Sequence, residues 1–201
     1  TWSSSDTTVA TVSSAGLVTA VADGTATITA TSGSATATSA VTVAQVASTV
    51  AVSPSTKTLT SLGDTVTVSA TVKDAGGTAI SGATVTWSTS AASVATVSSA
   101  GLVTAVADGT ATITATSGSA SATSAVTVAQ AASSVELSPS AKTFELLGDT
   151  VTLAATVKDA GGTTMSGATV TWASSDTTIA TVSSAGLVTA VTNGTDTITA
   201  T

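Results

Sequence analysis

The sequence repeats itself every 85 residues. The segment GLVTAV stands at Gly16–Val21, Gly101–Val106 and Gly186–Val191, and Trp2, Trp87 and Trp172 keep the same spacing. Residues 1–46 match 86–131 without a gap and with six differences. The remainder follows suit: Pro54 matches Pro139, Lys57 matches Lys142, Gly63-Asp64 matches Gly148-Asp149, and KDAGG recurs at 73–77 and 158–162. A period of this length exceeds the roughly 20–50 residues of a solenoid repeat and suits a small closed domain. The chain therefore reads as the back half of one unit (1–46), a complete unit (47–131) and a third unit (132–201) that lacks its last strand. The joins AQVASTV (44–50) and AQAASSV (129–135) are too short and too poor in Gly and Pro for a flexible linker, so neighbouring units are expected to touch. Because the pattern starts in mid-unit, with no charged-then-apolar leader, a piece of something longer is expected.

Within one period the apolar residues alternate with polar ones, the mark of half-buried strands. Over Asp64–Lys73 the inward set is Val66, Val68, Ala70 and Val72, with Thr65, Thr67, Ser69 and Thr71 outward. KDAGG supplies a turn, because Asp can accept from its own backbone and paired glycines tolerate positive φ. Ala83, Val85 and Trp87 alternate with threonine. Val94–Val97 reads as a hairpin through Ser99-Ala100-Gly101 into Leu102–Val106. After the Asp108-Gly109 turn, Ala111, Ile113 and Ala115 alternate with Thr110, Thr112, Thr114 and Thr116, and a last strand follows around Ala122–Val128. Short strands at Val50–Val52 and Leu59–Leu62 open the unit. Seven or eight short strands at this spacing predict an all-β immunoglobulin-like sandwich, repeated in tandem, with a fine-grained Val/Ala/Leu/Ile core and one indole per unit.

Composition excludes several classes. The chain has four lysines, no arginine, nine Asp and two Glu, for a net charge of −7. Without a basic patch it is unsuited to nucleic acid or an anionic membrane surface. Mean hydropathy is +0.53, yet Thr and Ser interrupt every apolar run, so no segment reads as membrane-spanning. Histidine and cysteine are absent. The many hydroxyls thus lack the usual general base of nucleophilic catalysis, and no enzyme is expected. Asp64, Asp74 and Asp108 lie singly in separate turns. KDAGG offers one carboxylate and a few carbonyls, well short of the six to eight oxygens calcium takes. No catalytic, cofactor-binding or metal-ligating residue is assigned, and calcium is the one ligand left open. Asp108 corresponds to Asp23 in the first unit and Asn193 in the third, which reads as a turn position. The outward threonine rows are read as ordinary strand surface, available to O-glycosylation.

The run from Thr84 to Gly118, with its W-S start, VATV-SSA-GLVTAV centre and GTATITAT strand, resembles the bacterial immunoglobulin-like domain of group 2. The stretch VSATVKDAGGTAISGATVTW (68–87) is similar to the related domains of invasin- and intimin-like adhesins. The resemblance implies an extracellular module, found in tandem in bacterial surface proteins and in some phage tail and virion proteins, with no enzymatic site. On this reading the chain is a non-catalytic spacer or stalk of an adhesin-like surface or secreted protein. The alternatives are a phage or virion tail or fibre component, or a subunit of a self-assembling extracellular filament. The expected partners are neighbouring repeats of the same chain, with homo-oligomer or filament contacts also open.

Overall fold

Threonine and valine carry two heavy atoms on Cβ, which stiffens the side chain and suits a pleated strand. The computed structural model describes residues 1–201, and its regular structure is entirely β. The first repeat holds β1 (Trp2–Ser4), β2 (Ala10–Val12), β3 (Val18–Ala20), β4 (Gly24–Ser32) and β5 (Ala35–Val43). The second holds β6 (Thr49–Ser53), β7 (Thr56–Leu59), β8 (Thr65–Thr67), β9 (Ser69–Lys73), β10 (Thr86–Thr89), β11 (Ala95–Val97), β12 (Leu102–Ala105), β13 (Gly109–Ser117) and β14 (Ala120–Val128). The third holds β15 (Ala132–Ser138), β16 (Thr150–Thr152), β17 (Ala154–Asp159), β18 (Trp172–Ser174), β19 (Ala180–Val182), β20 (Leu187–Ala190) and β21 (Ile198–Ala200).

Contacts divide the chain into two units, Thr1–Ala51 with Ala70–Thr86 and Ala115–Ala122, and Val52–Ser69 with Trp87–Thr114 and Thr123–Thr201. In the first, β4 and β5 form a nine-residue antiparallel hairpin, from Gly24 opposite Val43 to Ser32 opposite Ala35, with β1 on its other edge. Val9, Ala10 and Ala26 form the buried cluster there, lined by Val41 and Val43. The second unit has two such clusters. One gathers Leu59, Val68, Ala95, Val103, Ala105, Ala111, Ile113, Val126 and Val128, and the other Leu153, Ala180 and Val188. The sheets of the second repeat run β10-β13-β14-β7 and β11-β12-β8, while β6 pairs with β9. The larger cluster draws on the first two of these, as two facing layers of a sandwich require.

The predicted alternation holds: Val68, Val72, Ala111, Ile113 and Ala115 are buried, and Thr65, Thr67, Ser69 and Thr71 are exposed. One expectation needs correction. Residues 64–73 are not one strand but two, which belong to different sheets: β8 pairs with β12, and β9 pairs with β6. The break falls at Val68, whose N–H donates instead to Gly101 O at 2.9 Å. Leu153 repeats this with Gly186 O at 2.9 Å. A strand can change sheets here because its inward period of two is unbroken while its hydrogen-bond partners switch. Counted separately, the second repeat has nine strands; counting 65–73 as one sheet-switching strand restores eight.

Two further expectations change in detail. Trp87 and Trp172 are half-buried against their cores, but Trp2 is 45% exposed, because residues 1–46 hold no counterpart of β8 and β9 to cover it. In the third repeat, residues 141–147 form no strand. Their counterpart, β7, is held by parallel pairing with β14, Thr56 opposite Ala125 through Leu59 opposite Val128, and residues 132–201 include no equivalent of β14. An open cleft lined by Phe144, Leu147, Leu153, Val188, Asp196 and Ile198 lies in that place.

Candidate functional site

The most organised polar structure lies at the repeat boundaries. In KDAGG the aspartate does what the sequence predicts: Asp74 Oδ1 accepts from Thr78 N at 2.8 Å, and Asp159 Oδ1 from Thr163 N at 2.8 Å. Its second oxygen does something the sequence reading missed. Asp74 Oδ2 accepts from Gln45 Nε2 at 3.0 Å, and Asp159 Oδ2 accepts from Gln130 Nε2 at 2.9 Å. Each glutamine belongs to the preceding repeat. Its own backbone is fixed in turn, since Gln45 N donates to Asp23 Oδ1 at 2.7 Å and Gln130 N to Asp108 Oδ1 at 2.8 Å. The result is a three-residue relay, Asp23–Gln45–Asp74, repeated 85 residues on as Asp108–Gln130–Asp159.

Asp159 Oδ2 also accepts from Leu62 N at 3.1 Å, and Gly161 N donates to Ser61 Oγ at 3.2 Å. The receiving loop is shaped by Asp64, whose Oδ2 accepts from Thr60 N and Ser61 N at 3.3 and 3.1 Å. The backbone adds Ala131 N to Thr60 O at 2.9 Å. Gly161 serves closeness, because a Cβ there would lie 3.3 Å from Ser61 Cβ. Asp64 and Asp108, predicted to be unconnected turn residues, are thus parts of one junction with Asp159, while Asp74 belongs to the other.

Asp159 is 2% exposed, and burial of a carboxylate normally favours its neutral form. The hydrogen bond from Gln130 outweighs this and, with the backbone donors of Thr163, Leu62 and Gly161, holds its carboxyl below the usual carboxylate range. Gln45 and the Thr78 N–H hold Asp74 down in the same way, against a smaller opposing burial. Both oxygens of Asp159 are engaged by N–H donors, an arrangement for binding protein. No group of three or more His, Cys, Asp or Glu side chains is placed to hold a metal ion.

Asp196 was also missed. It stands at the position of buried Ala26 and Ala111. Its carboxylate accepts from Ser174 Oγ (2.8 Å), Ser175 Oγ (2.5 Å), Asp176 N (3.0 Å) and Thr197 N (2.7 Å). The Ser175 bond leads in lowering its pKa, against burial. A carboxylate so occupied is a turn brace, and the serines beside it have no base to activate them. For the relay, the usable signal was composition: the chain has only two glutamines, 85 residues apart and each beside a join.

The family model described as bacterial Ig-like domain (group 2) matches residues 1–43, 46–128 and 131–201. No curated protein matches the chain. Among solved structures, the S-layer protein rSbsC(31-844) is 25% identical over 100% of this chain and 28% of its own, with a TM-score of 0.42. Domains 4 and 5 of the S-layer protein SbsC are 30% identical over 64% of this chain and 70% of that one, at a TM-score of 0.40. FdeC, an Escherichia coli adhesin, is 24% identical over 83% of this chain and 65% of its own, at 0.42. The chain thus spans little more than a quarter of the first of these proteins.

Proposed function

Since this chain belongs to the bacterial Ig-like domain family, group 2, we propose that it is a non-catalytic spacer segment of a cell-surface or secreted adhesin-like protein. The observation that carries this reading is the repeated relay. The same three side chains join the first repeat to the second and the second to the third, with matching geometry. A contact that recurs with the sequence period serves the array rather than a ligand. The surface agrees: it is rich in threonine and poor in charge, and the large aromatics and arginine that anchor binding hot spots are scarce or absent.

The spacer reading predicts stepwise mechanical unfolding. Pulled from its ends in a single-molecule force experiment, the chain should yield one complete-repeat event. Its contour gain should be about 85 residues at ~3.4 Å each, less the folded length. Featureless extension without such an event would overturn the spacer role. For the location, antibodies to the chain should label intact producing cells or their medium; labelling only after lysis would overturn that part.

A further inference from the structure

We propose that the boundary between the second and third repeats is an acid-released latch: with the Asp159 carboxylate ionised the two boundary faces are clasped, and protonating it lets them part. The inference goes beyond the spacer reading and stands without it. One side chain ties three segments together. Asp159, at the end of β17, accepts from Gln130 Nε2 and Leu62 N of the second repeat and from Thr163 N of its own turn. These partners are neutral N–H groups, so the site stabilises a carboxylate without a cation. An ionised carboxylate only accepts, whereas a carboxylic acid carries an O–H. The neutral carboxyl is the weaker acceptor, and an O–H turned toward any of these donors meets another hydrogen, so protonation loosens the clasp at a buried site.

The charged groups nearby are engaged with other partners. Asp108 faces the Gln130 N–H, and Asp64 faces the N–H groups of Thr60 and Ser61. Lys158, next to Asp159 on β17, pairs with Glu136 of β15 at 2.8 Å. The carboxyl of Asp159 is held below its ordinary value. A depressed folded-state value means the stabilisation is present above the unfolded value and is lost as pH falls through the folded one, so the latch stays closed at neutral pH and opens only in acid, below the ordinary carboxylate range. Asp74 accepts from Gln45 and Thr78 in the same way at the first boundary.

The chain has no cysteine, so spin labels can be placed cleanly through Thr123→Cys and Thr181→Cys, both exposed. In the full-length chain the pulsed-EPR distance distribution should be a single narrow peak at neutral pH. At about pH 2 that peak should be lost while the strand signal in circular dichroism persists. Gln130→Glu should invert the response. Two confronting carboxylates part the faces at neutral pH, and uptake of one shared proton on acidification draws them together. Asp159→Asn should lack the narrow peak at both pH values. The proposal is overturned if the wild-type peak survives acidification, if the strand signal disappears before the peak broadens, or if Gln130→Glu is as narrow as wild type at neutral pH.

Discussion

Gln130 and Asp159 lie 29 residues apart in sequence and in different repeats, yet the amide nitrogen of one stands 2.9 Å from a carboxylate oxygen of the other. Removing the donor leaves a buried acceptor short of a partner. Gln130→Ala should therefore lower the thermal midpoint of the chain by about 2–4 °C. Gln45→Ala should cost less, because Asp74 is only half-buried and water can replace the lost donor. Paired scanning-calorimetry runs check the order; equal shifts would contradict it.

Gly101 and Gly186 should tolerate no side chain. Both have positive φ, 78°, and a Cβ would lie 2.3 Å from Val68 O and 2.5 Å from Leu153 O respectively, at the points where strands change sheets. Gly101→Ala and Gly186→Ala should each cost more than ~3 kcal/mol, from the left-handed backbone and the overlap together. Gly16 shares the conformation at φ 82° but would meet only the edge of the Trp2 ring, at 3.0 Å. Gly16→Ala should cost about 1–2 kcal/mol. Urea titration of the three variants reads the difference.

The indoles are unequal for the same reason of cover. Trp87→Ala should cost about 3 kcal/mol, at the low end for a core aromatic because the ring is only half-buried. Trp2→Ala should cost less, about 2 kcal/mol, at 45% exposure. Urea unfolding followed by circular dichroism checks both. A Trp2 variant as damaging as the Trp87 variant would show that the first repeat is covered in solution.

Ser124 is fully buried on β14, and its hydroxyl has no partner. Replacing it by alanine removes an unsatisfied polar atom at little cost in volume. Ser124→Ala should stabilise the chain by about 1 kcal/mol, visible as a raised midpoint. A fall would mean that the hydroxyl is bonded in solution.

Much of the fold was legible because each strand reports its own burial. The inward set Val66, Val68, Ala70 and Val72 follows from alternation alone, as does the hairpin that joins Ala95–Val97 to Leu102–Ala105. Pairing partners are a different matter. The switch at Val68 leaves the alternation untouched, so nothing in residues 64–73 marks it. The parallel seat of β7 beside β14 likewise depends on a strand more than sixty residues away. The boundary relay was hidden for a related reason. Asp108, Gln130 and Asp159 are joined only by folding, across 22 and 29 residues, and each aspartate has a sufficient local explanation as a turn residue. The paired glutamines carried the clue, since a lone long amide in a Thr/Ser/Ala/Val background has no turn or core role to fill.

The relay also bears on how such a chain changes length between generations. Its donors and acceptors recur with the same 85-residue period as the sequence around them. An unequal crossover or slipped replication event that adds or removes whole periods therefore leaves every retained Asp–Gln–Asp set in register, wherever the breakpoint falls. The seat beside it is less forgiving: Ser61, whose hydroxyl receives the Gly161 N–H, is replaced in the third repeat by Leu146. A period that carries leucine at this position cannot offer the hydroxyl that a serine-bearing period offers to the glycine of the repeat that follows it.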